Sequence, residues 1–592
     1  VEYTREDGNV SRLGWHAEFV YYALAGLYAL LPDPRTLLVF QALWFALGAV
    51  PAYRIASRRF RNPNYVRALM LVYLLYPTAQ TAVLFDFHGD TLAMPCLMFA
   101  LDALDRMDWR RYGIWIALAL LCKVYVAVPV GALGAVLYFK GHRRLGGCTA
   151  VLSLAWFCFL LFVVRPAFSP PSVSGASTTF QSYVAFYFDG LGSRLLLDTL
   201  VVRLATAFLV LTPAVMFGRY AWHWLLPGLA ITLPALLSIG EGAAYDYRFH
   251  HYALPVPFFV MAVVVGIDEH RRRRRDADPR LLRKSVLFQV SISLLFFVLL
   301  VDMPLNPRFW LKANEGWGIA DTKYGQTPRD RLKDEWLAGV VPPDAPIATS
   351  DLLAPHLINR RTVYQVRYSG YESQQQRLFI EHLDEVDYVV VDALHDLPVD
   401  SGNGEIMGGV LHYLPAVVDL LDHPDFALQE SRDGLLLFGR STSASSGLRH
   451  SLQILADDQI GESIAVFGNR IELVEAYARP LGNCRYSLRF AWTAPTGLSD
   501  LTQLMAVSRL AELDNSRYPH LQTLAYPTHD WQSGAVVVEE FEVSLPDELL
   551  PGIYHLWTGW YDTTLLESRF TDVRSRIGDE FQVLTLDCSS LR

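Results

Sequence analysis

Cysteine is scarce in this chain, with 6 in 592 residues, and no two cysteines form a C-x-x-C pair or stand at zinc-ligand spacing. A disulfide-dense scaffold and a structural zinc site are therefore excluded as organising features. Cys484 and Cys588 are the two cysteines outside the apolar first half, so the sequence permits a disulfide between them without deciding whether it forms. The sequence also shows no internal repeat and no recognisable secretory signal peptide.

Charge is limited and unevenly distributed, since charged residues make up 19% of the chain. Residues 1–303 hold 28 Lys and Arg against 19 Asp and Glu, whereas the remainder holds 23 against 41. The first part is basic and carries the apolar runs, and the second part resembles an ordinary acidic soluble protein. The basic runs between apolar segments are typical of membrane topology signals and anionic-lipid contacts, so no nucleic-acid partner is predicted.

Nine apolar runs dominate the first part of the chain. They lie at 36–53, 66–84, 91–105, 112–139, 145–164, 199–217, 220–239, 252–267 and 285–303. A helix that crosses the hydrocarbon layer needs about 20 mostly apolar residues, and these runs meet or approach that length. The sequence predicts a mainly α, multi-pass domain over 1–303 in the plasma membrane, in contact with the lipid bilayer. Buried core helices of a large soluble enzyme are the disfavoured alternative, because the long runs recur with basic residues between them.

Four clusters of basic residues set the predicted orientation, because loops rich in Lys and Arg face the cytoplasm. The clusters are Arg54, Arg58, Arg59, Arg61 and Arg67; Arg106, Arg110 and Arg111; Lys140, Arg143 and Arg144; and the five arginines at 271–275. For all four to face the cytoplasm, the run 112–139 must enter and return as two short helices that meet near Lys123. The loop around Asp86, the segment 166–198 and the loop 240–251 then lie outside, as does everything after the last run.

Two segments near the membrane domain have a different character. Residues 17–31 are too few to span comfortably and end at Pro32-Asp33-Pro34, so they predict an interfacial or re-entrant helix on the outer face. The Pro- and Ser-rich stretch 169–177 is typical of a mobile loop. Because the chain opens on Val1 with a loop-like sequence, we expect upstream sequence with at least one further helix.

The acidic part divides at a Ser-rich linker, 441–447. Residues 304–440 alternate short apolar strands with polar helices, and the strands at 346–350, 362–366, 387–392 and 435–439 predict an extracytoplasmic α/β domain. In 450–592, Phe541, Val543 and Leu545 alternate with polar residues, and turn residues separate runs of strand formers. This pattern predicts an antiparallel β-sandwich.

Ionisable residues collect in the loops predicted to lie outside. Alone, each group has an ordinary explanation, because loop carboxylates and histidines are usually solvated and Lys123 could extend to the interface. Together they suit group transfer from a lipid-linked phosphate, because a carboxylate can accept a hydroxyl proton and a Lys or Arg can hold the phosphate. Histidines and carboxylates could instead hold a divalent cation, although their spacing matches no metal motif.

The sequence is recognisable in four places: SRLGWHAEF at 11–19, FDFHGDTLAMP at 85–95, LALLCK at 118–123 and HHYALPVPF at 250–258. Across about 10–440 it resembles a bacterial family of integral-membrane proteins of unknown function, which is similar to the GT-C glycosyltransferases. The resemblance implies a polyprenyl-phosphate sugar donor and a glycan or other extracytoplasmic acceptor. The GT-C enzymes commonly carry a catalytic acidic residue in the first outer loop, which would lie upstream of Val1.

Three residues match the family's motifs position by position. His16 matches a histidine before the interfacial helix, and His88 matches the one after a Phe-x-Phe pattern. Lys123 matches a lysine that relatives follow with acidic residues, whereas Val124 and Tyr125 stand here. The acidic residues that would form a charge relay with Lys123 in the relatives are therefore replaced by an apolar and an aromatic residue here.

These observations give one main hypothesis and two rivals. The main hypothesis is a GT-C-type glycosyltransferase, whose site residues fall into three groups. They are Glu18, Asp86, His88 and Asp90 as catalytic candidates, Lys123 and Arg248 for the donor phosphate, and His16, His250 and His251 for the acceptor or a metal. The rivals are a transporter that performs no chemistry, which the broken run 112–139 would suit, and a degenerate scaffold that binds lipid or glycan.

Overall fold

The structure is a computed structural model, in which part of the chain is described residue by residue. The described residues are 2–5, 8–85, 87–168, 199–238, 245, 247, 250–274, 279–301, 306, 328–349, 353–365, 367–369, 377–379, 383–392, 420, 423–432, 435–440, 451–455, 462–482, 484–495, 504–511, 517–523, 535–544, 552–562 and 576–589. Asp86, Arg248 and the predicted mobile loop 169–177 lie outside these residues.

The chain forms two compact units. The first is mainly Asp7–Ala320, and the second combines Asp321–Asp400 with Ile406–Arg592. The first unit is mainly helical in its described residues, and the second contains most of the strands. The finer division into three domains, 1–303, 304–440 and 450–592, stays a prediction.

The helices of the first unit follow the apolar runs. They are α1 Arg12–Trp15, α2 Val20–Leu30, α3 Pro34–Leu47, α4 Ala49–Ser57, α5 Pro63–Leu74, α6 Pro77–Phe85, α7 Gly89–Asp105, α8 Trp109–Leu120, α9 Ala127–Phe139, α10 Arg143–Phe159, α11 Arg165–Phe168, α12 Leu200–Gly218, α13 Leu225–Leu237, α14 Val256–Arg273 and α15 Pro279–Leu300. Short 3₁₀ segments, Val124–Val126, Arg219–Trp224 and His250–Ala253, connect or precede some of them. The strands β1 Glu2–Arg5 and β2 Gly8–Ser11 come before α1.

Within the described ranges, five helical stretches are long and apolar enough to cross a membrane. One of them, Leu200–Leu237, has 38 residues and is bent where Ala221 leaves helical geometry, so it consists of α12 and α13. The run 66–84 is divided between α5 and α6, because Pro77 begins a new helix. α2 has 11 residues, about 16 Å of helix, which is too short to span.

α14 is the central helix of the first unit. In the stretch His250–Arg273 the apolar window is 89% buried, whereas in the other four candidate spans it is 28–33% buried. A helix that is apolar all round and buried lies at the centre of a bundle, and helices with exposed apolar faces lie at its surface. Exposed apolar side chains such as Val151, Val201 and Phe208 on those outer helices are what lipid contact requires.

Two glycines allow α9 and α10 to approach closely. A Cβ on Gly134 would lie 2.4 Å from the backbone N of Ala150, and one on Gly146 would lie 2.3 Å from the backbone N of Tyr138. Small residues at such contacts are typical of helix packing in membranes, where close backbone approach replaces the hydrophobic effect as the source of stability.

The second unit begins with a mixed sheet. The elements of this part of the unit are α16 Pro328–Val340, β3 Ile347–Thr349, α17 Ala354–Leu357, β4 Val363–Gln365, β5 Arg367–Ser369, β6 Arg377–Phe379, β7 Tyr388–Asp392, β8 Phe426–Arg432 and β9 Leu435–Arg440. β5 and β6 pair with each other in a separate two-stranded sheet. The sheet order is β4-β3-β7-β9-β8, with β3 parallel to β4 and β7, and with β9 antiparallel to β7 and β8. The four strands predicted from short apolar runs are β3, β4, β7 and β9, so those predictions are confirmed.

The remaining strands form two antiparallel sheets. They are β10 Ser451–Leu455, β11 Ala465–Phe467, β12 Ile471–Gly482, β13 Arg485–Thr493, β14 Leu504–Ala511, β15 Arg517–Thr523, β16 Val536–Ser544, β17 Ile553–Asp562 and β18 Arg576–Asp587. The sheet orders are β10-β16-β13-β12-β11 and β15-β14-β17-β18. Trp492 of one sheet meets Trp560 of the other at 5.1 Å between ring centroids, inside a shared apolar core. The assignment of this region as a β-sandwich stays a prediction.

Cys484 and Cys588 form a disulfide in this region, as their positions in the sequence left open. The bond joins the residue before β13 to the residue after β18, and Tyr486 donates a hydrogen bond to the carbonyl O of Asp587 at 2.5 Å beside it. The disulfide therefore links the central strand of one antiparallel sheet, β13, to an edge strand of the other, β18.

Candidate functional site

Three breaks in the helices of the first unit bring ionisable side chains together. Asp90 lies in the first turn of α7, Lys123 lies between α8 and α9, and His250 opens the 3₁₀ turn that precedes α14. Lys123 has an extended backbone, with φ −166° and ψ 150°, so the run 112–139 is interrupted at the residue where the sequence predicts a break. Each of these side chains is thereby placed at a helix end.

Asp90, Lys123 and His250 are in direct contact. Lys123 Nζ donates to Asp90 Oδ2 at 2.5 Å and lies 3.2 Å from Nε2 of His250. The same His250 nitrogen is 3.4 Å from Asp90 Oδ2. Asp90 and Lys123 are 0% and 1% exposed, so the pair lies outside bulk water. Burying two charges is costly, and the close geometry of the pair is what offsets that cost.

Three histidines stack against this ion pair. The rings of His88 and His250 lie 3.7 Å apart between centroids and 17° from parallel, and His250 and His251 lie 4.3 Å apart at 25°. Tyr125 closes the stack, with its ring 6.1 Å from His251 and 5.6 Å from Lys123 Nζ. The histidines predicted at separate places in the sequence therefore form one continuous row.

His16 and Glu18 join the site through the backbone. Val20 N donates to the carbonyl O of Leu121 at 3.0 Å, and Val124 N donates to that of His16 at 3.4 Å. These bonds hold the segment before α2 along the break at Lys123. Glu18 is 1% exposed, and His16 is close enough to His250 to interact with it electrostatically.

Ala17, between these two residues, has a left-handed backbone with φ 52° although it is not glycine, and it is fully buried. Such a conformation costs about 1–2 kcal/mol in a residue with a side chain. It persists only where the surroundings fix it, and it is found at functional sites more often than elsewhere. Here the bend turns the chain between His16 and Glu18.

Gly89 is the point where the three segments come closest. A Cβ on Gly89 would lie 2.3 Å from the carbonyl O of Cys122 and 2.9 Å from Oε1 of Glu18. Only glycine permits the start of α7 to approach the break beside Lys123 this closely. The same distances show that the carboxylate of Glu18 lies next to the residue that precedes Asp90.

A buried glutamine braces the turn that carries His88. Gln41, on α3, is 1% exposed and donates from Nε2 to the carbonyl O of Val83 at 3.2 Å. Its Oε1 accepts from the backbone N of His88 at 3.0 Å and from the hydroxyl of Thr91. Gln41 therefore fixes both sides of the turn between α6 and α7.

The segment that carries His250 is held from two directions. Thr78 and Thr81 of α6 donate their hydroxyls to the carbonyl O of Tyr252 at 3.2 Å and of Tyr247 at 3.1 Å. Arg203 of α12, 5% exposed, stacks 4.0 Å from the ring of Tyr245 and donates to the carbonyl oxygens of Leu236 and Ser238. These contacts order the described part of the 245–253 segment.

The sequence did not single out Ala17, Gln41, Gly89 or Arg203. A usable signal existed for Gln41 and Arg203, because an amide or a guanidinium within an apolar run marks a position that faces the bundle interior. Ala17 and Gly89 carry no such signal, since their roles depend on a backbone angle and on a close approach. Of the predicted site residues, the structure brings together His16, Glu18, His88, Asp90, Lys123, His250 and His251.

The described residues do not fit a divalent cation. Among them, no group of three or more His, Cys, Asp or Glu side chains is arranged to hold a metal. The position between Asp90 Oδ2 and His250 Nε2, which a cation would need, is taken by Lys123 Nζ. The ammonium of Lys123 thus supplies the positive charge that a metal ion would bring to that position.

The other ends of the same helices carry the basic residues. Asp90 lies at the start of α7, and Arg106 follows its end. In the same way, α9 lies between Lys123 and Lys140, and α14 with its preceding turn begins at His250 and ends at Arg271–Arg273. At the far end of α7, Arg58 and Arg106 bind Asp102 at 2.8 and 2.9 Å, which joins the first predicted basic cluster to the second. The site and the arginines thus lie at opposite ends of the helices, about 18 Å apart along α7 from Asp90 to Asp102.

The chain matches the family model described as Predicted membrane protein (DUF2079) over residues 2–405. The match covers more than half of the 592 residues, and the chain therefore belongs to this family. All the site residues described above lie inside the matched range. No curated protein matches the chain.

Proposed function

We propose that this member of the DUF2079 family is a membrane glycosyltransferase of the GT-C type, which moves a sugar from a polyprenyl-phosphate donor to an extracytoplasmic acceptor. The single observation that supports it is the meeting of Glu18, Asp90, Lys123 and His250 at one end of the helices. Carboxylates, a cation and imidazoles at the edge of a bundle are the groups that transfer from a lipid phosphate requires.

The two carboxylates have different roles in this proposal. Asp90 binds Lys123 at 2.5 Å and holds that ammonium in place, and Glu18 is the general base. Glu18 removes the proton of the acceptor hydroxyl while the acceptor oxygen forms a bond to the anomeric carbon. The bond from that carbon to the phosphate oxygen breaks, the phosphate keeps the electron pair, and the configuration is inverted.

Lys123 faces the leaving phosphate in this scheme. An ammonium has three donors, and Asp90 and His250 account for two of them. The third donor binds a phosphate oxygen in this scheme, while Asp90 fixes the direction of the side chain. His16, His88 and His251 line the acceptor side. Asp86 and Arg248, which the sequence also nominates, stay predictions.

The proposal places the site outside the cytoplasm. The basic ends of α7, α9 and α14 would face the cytoplasm by the positive-inside rule, which puts Asp90, Lys123 and His250 at the outer face. The second unit would lie outside as well, and its Cys484–Cys588 disulfide is in keeping with an oxidising compartment. There the α/β and β-sandwich domains would recognise the acceptor.

Replacement of the base tests the proposal. The full chain is reconstituted in vesicles with polyprenyl-phosphate hexoses and pentoses that carry a radiolabelled sugar, and release of label from the lipid is followed. Glu18→Gln should lower the rate by about 100-fold or more, the usual contribution of a general base. Asp105→Asn, at the other end of α7, is the matched carboxylate control and should keep the rate. Unchanged turnover in Glu18→Gln would overturn the assignment.

A second candidate is transport coupled to protons or ions. The observation that favours it is the fully buried Asp90–Lys123 pair at a helix break, since ionisable residues and discontinuous helices line transport pathways. Cysteine accessibility separates the two. A cysteine at position 88 that reacts with impermeant reagents from both faces in turn would favour transport, and reaction from one face alone would favour transfer.

A further inference from the structure

The basic ends of three elements form a second cluster, far from the site. It consists of Lys140, which follows α9; Arg219, Tyr220 and His223 of the 3₁₀ segment between α12 and α13; and Arg273 at the end of α14. We call these five residues the cation–aromatic cluster. It combines the third and fourth basic clusters of the sequence, which are far apart along the chain.

The geometry of this cluster is specific. Lys140 Nζ lies 2.6 Å from Nε2 of His223 and 5.4 Å from the ring of Trp224. The ring of Tyr220 has the guanidinium of Arg219 at 5.0 Å and that of Arg273 at 5.8 Å. The ring of Tyr220 thus carries two guanidinium groups, and His223, three residues further along the same 3₁₀ segment, holds the ammonium of Lys140.

The positive charge of the cluster is not neutralised by ion pairs. Within the part of the chain that the structure describes, Lys140, Arg219 and Arg273 have no carboxylate at ion-pairing distance. Glu269 acts on Lys140 electrostatically but forms no ion pair with it. By contrast, the neighbouring Arg271 and Arg272 both bind Asp268, at 2.7 and 2.8 Å. Two guanidinium groups on one ring and an ammonium on the same 3₁₀ segment, none of them ion-paired among the described residues, provide positive charge for an anion.

The surroundings indicate which anion fits. Phe139, next to Lys140, is 86% exposed, and Trp222, next to His223, is 60% exposed. Exposed apolar and aromatic side chains directly beside cations match the boundary between acyl chains and headgroups, where Trp is enriched. A free inorganic anion would leave these apolar side chains exposed, whereas the acyl chains of a phospholipid would cover them.

We propose that the cation–aromatic cluster binds the phosphate of an anionic phospholipid headgroup, with Lys140, Arg219 and Arg273 as its donors and with Phe139 and Trp222 against the acyl chains. The site is independent of the transferase reaction, because it lies at the basic ends of the helices. A lipid bound there would hold α9, the α12–α13 turn and α14 together at the membrane surface.

Native mass spectrometry of the full chain in uncharged detergent tests the proposal. Phosphatidylglycerol, phosphatidylcholine with the same acyl chains and inorganic phosphate are titrated separately. The wild-type protein should retain phosphatidylglycerol in preference to the other two. Each basic residue near an anionic lipid contributes about a fivefold gain in binding. Lys140→Gln with Arg219→Gln should therefore weaken phosphatidylglycerol binding by about 25-fold.

The matched control is Arg143→Gln with Arg144→Gln, which removes the same charge from exposed residues just after Lys140. This variant should retain the bound lipid. If the double variant does not fold, Arg273→Gln, a single change in an exposed side chain, tests the same site. It should weaken phosphatidylglycerol binding by about fivefold. Equal retention of phosphatidylcholine, equal binding of inorganic phosphate, or an equal loss in the control would each overturn the proposal.

Discussion

The two ends of α7 carry two ionic clusters that differ in composition and in contact with water. At the N-terminal end, Asp90 pairs with one lysine, and both side chains are almost completely buried. At the C-terminal end, Asp102 and Asp105 are surrounded by arginines whose side chains are 16–49% exposed. The arginines are Arg54, Arg58, Arg59 and Arg106. One helix therefore carries a sealed pair at one end and, at the other, a network whose arginines are partly exposed to water.

The two clusters on α7 differ in what the loss of one cation would do to the remaining carboxylate. In the arginine network each aspartate has more than one arginine partner, so the loss of one arginine leaves the carboxylate paired with another, even at Asp102, which is itself buried. In the sealed pair, Lys123 is the cation that contacts Asp90, at 2.5 Å, so its loss removes the ammonium from a buried carboxylate. A protein that needs stability alone gains little from a buried pair over apolar packing. The sealed pair is therefore the end of α7 where we expect chemistry.

The largest effect should follow from removal of the lysine in the sealed pair. Lys123→Ala leaves a buried carboxylate without its cation, and such losses cost about 3–5 kcal/mol. Arg106→Ala at the other end should cost less than about 1 kcal/mol, because Arg58 still binds Asp102 at 2.8 Å. Unfolding of the purified protein by increasing SDS in mixed micelles measures both changes.

A double replacement sharpens this result. Asp90→Asn with Lys123→Met removes both charges and should recover much of the stability that Lys123→Ala loses, because no uncompensated charge remains. Sugar release from the lipid donor should stay abolished in the double variant. Equal costs for Lys123→Ala and Arg106→Ala would mean that the two ends of α7 do not differ in the way their exposure indicates.

A smaller effect is expected where α7 begins. Gly89→Ala forces a Cβ against the carbonyl O of Cys122, a backbone atom that cannot move cheaply, and should destabilise the protein by about 1–3 kcal/mol. Gly113→Ala is the matched control in α8, because nothing lies within 4 Å of its Cβ position. That change should stabilise by about 0.5–1 kcal/mol, as expected for an open helical position. If Gly89→Ala leaves the stability of the protein unchanged, the start of α7 does not pack as closely against Cys122 as the structure indicates.

The helices and several strands were predictable because burial leaves a local pattern. Apolar runs of about 20 residues indicate spans, and the runs 199–217 and 220–239 correspond to α12 and α13. β7 was predictable from YVVVD for a similar reason. The division of 66–84 into α5 and α6 was not, since Pro77 can begin a helix or kink one, and tertiary contacts decide between the two.

The site was predictable in its membership but not in its pairing. Ionisable residues next to apolar runs are rare enough to be noticed, and this identified Asp90, Lys123 and His250 from sequence. Lys123 is 33 residues from Asp90 and 127 from His250 in the sequence, and no local pattern reports a contact over such distances. The stacking of His88 on His250 likewise depends on how α6, α7 and α14 pack, which only the fold determines.

The smallest stability effect, and the finest test of the comparison, concerns two residues with left-handed backbones. Ala17 at the site and Met107 just beyond the arginine end have φ values of 52° and 60°, and only Met107 is exposed. Glycine relieves the strain in each but adds freedom to the unfolded chain, so Ala17→Gly and Met107→Gly should change stability by less than about 1 kcal/mol.

Activity should nevertheless separate these two variants. Ala17→Gly loosens the bend between His16 and Glu18, so sugar release should slow by about three- to tenfold through a lower kcat, because small errors in the placement of a base are costly. Met107→Gly has no catalytic neighbour and should keep the wild-type rate. If Ala17→Gly also keeps it while Glu18→Gln does not, the strained bend holds the fold together without positioning the base.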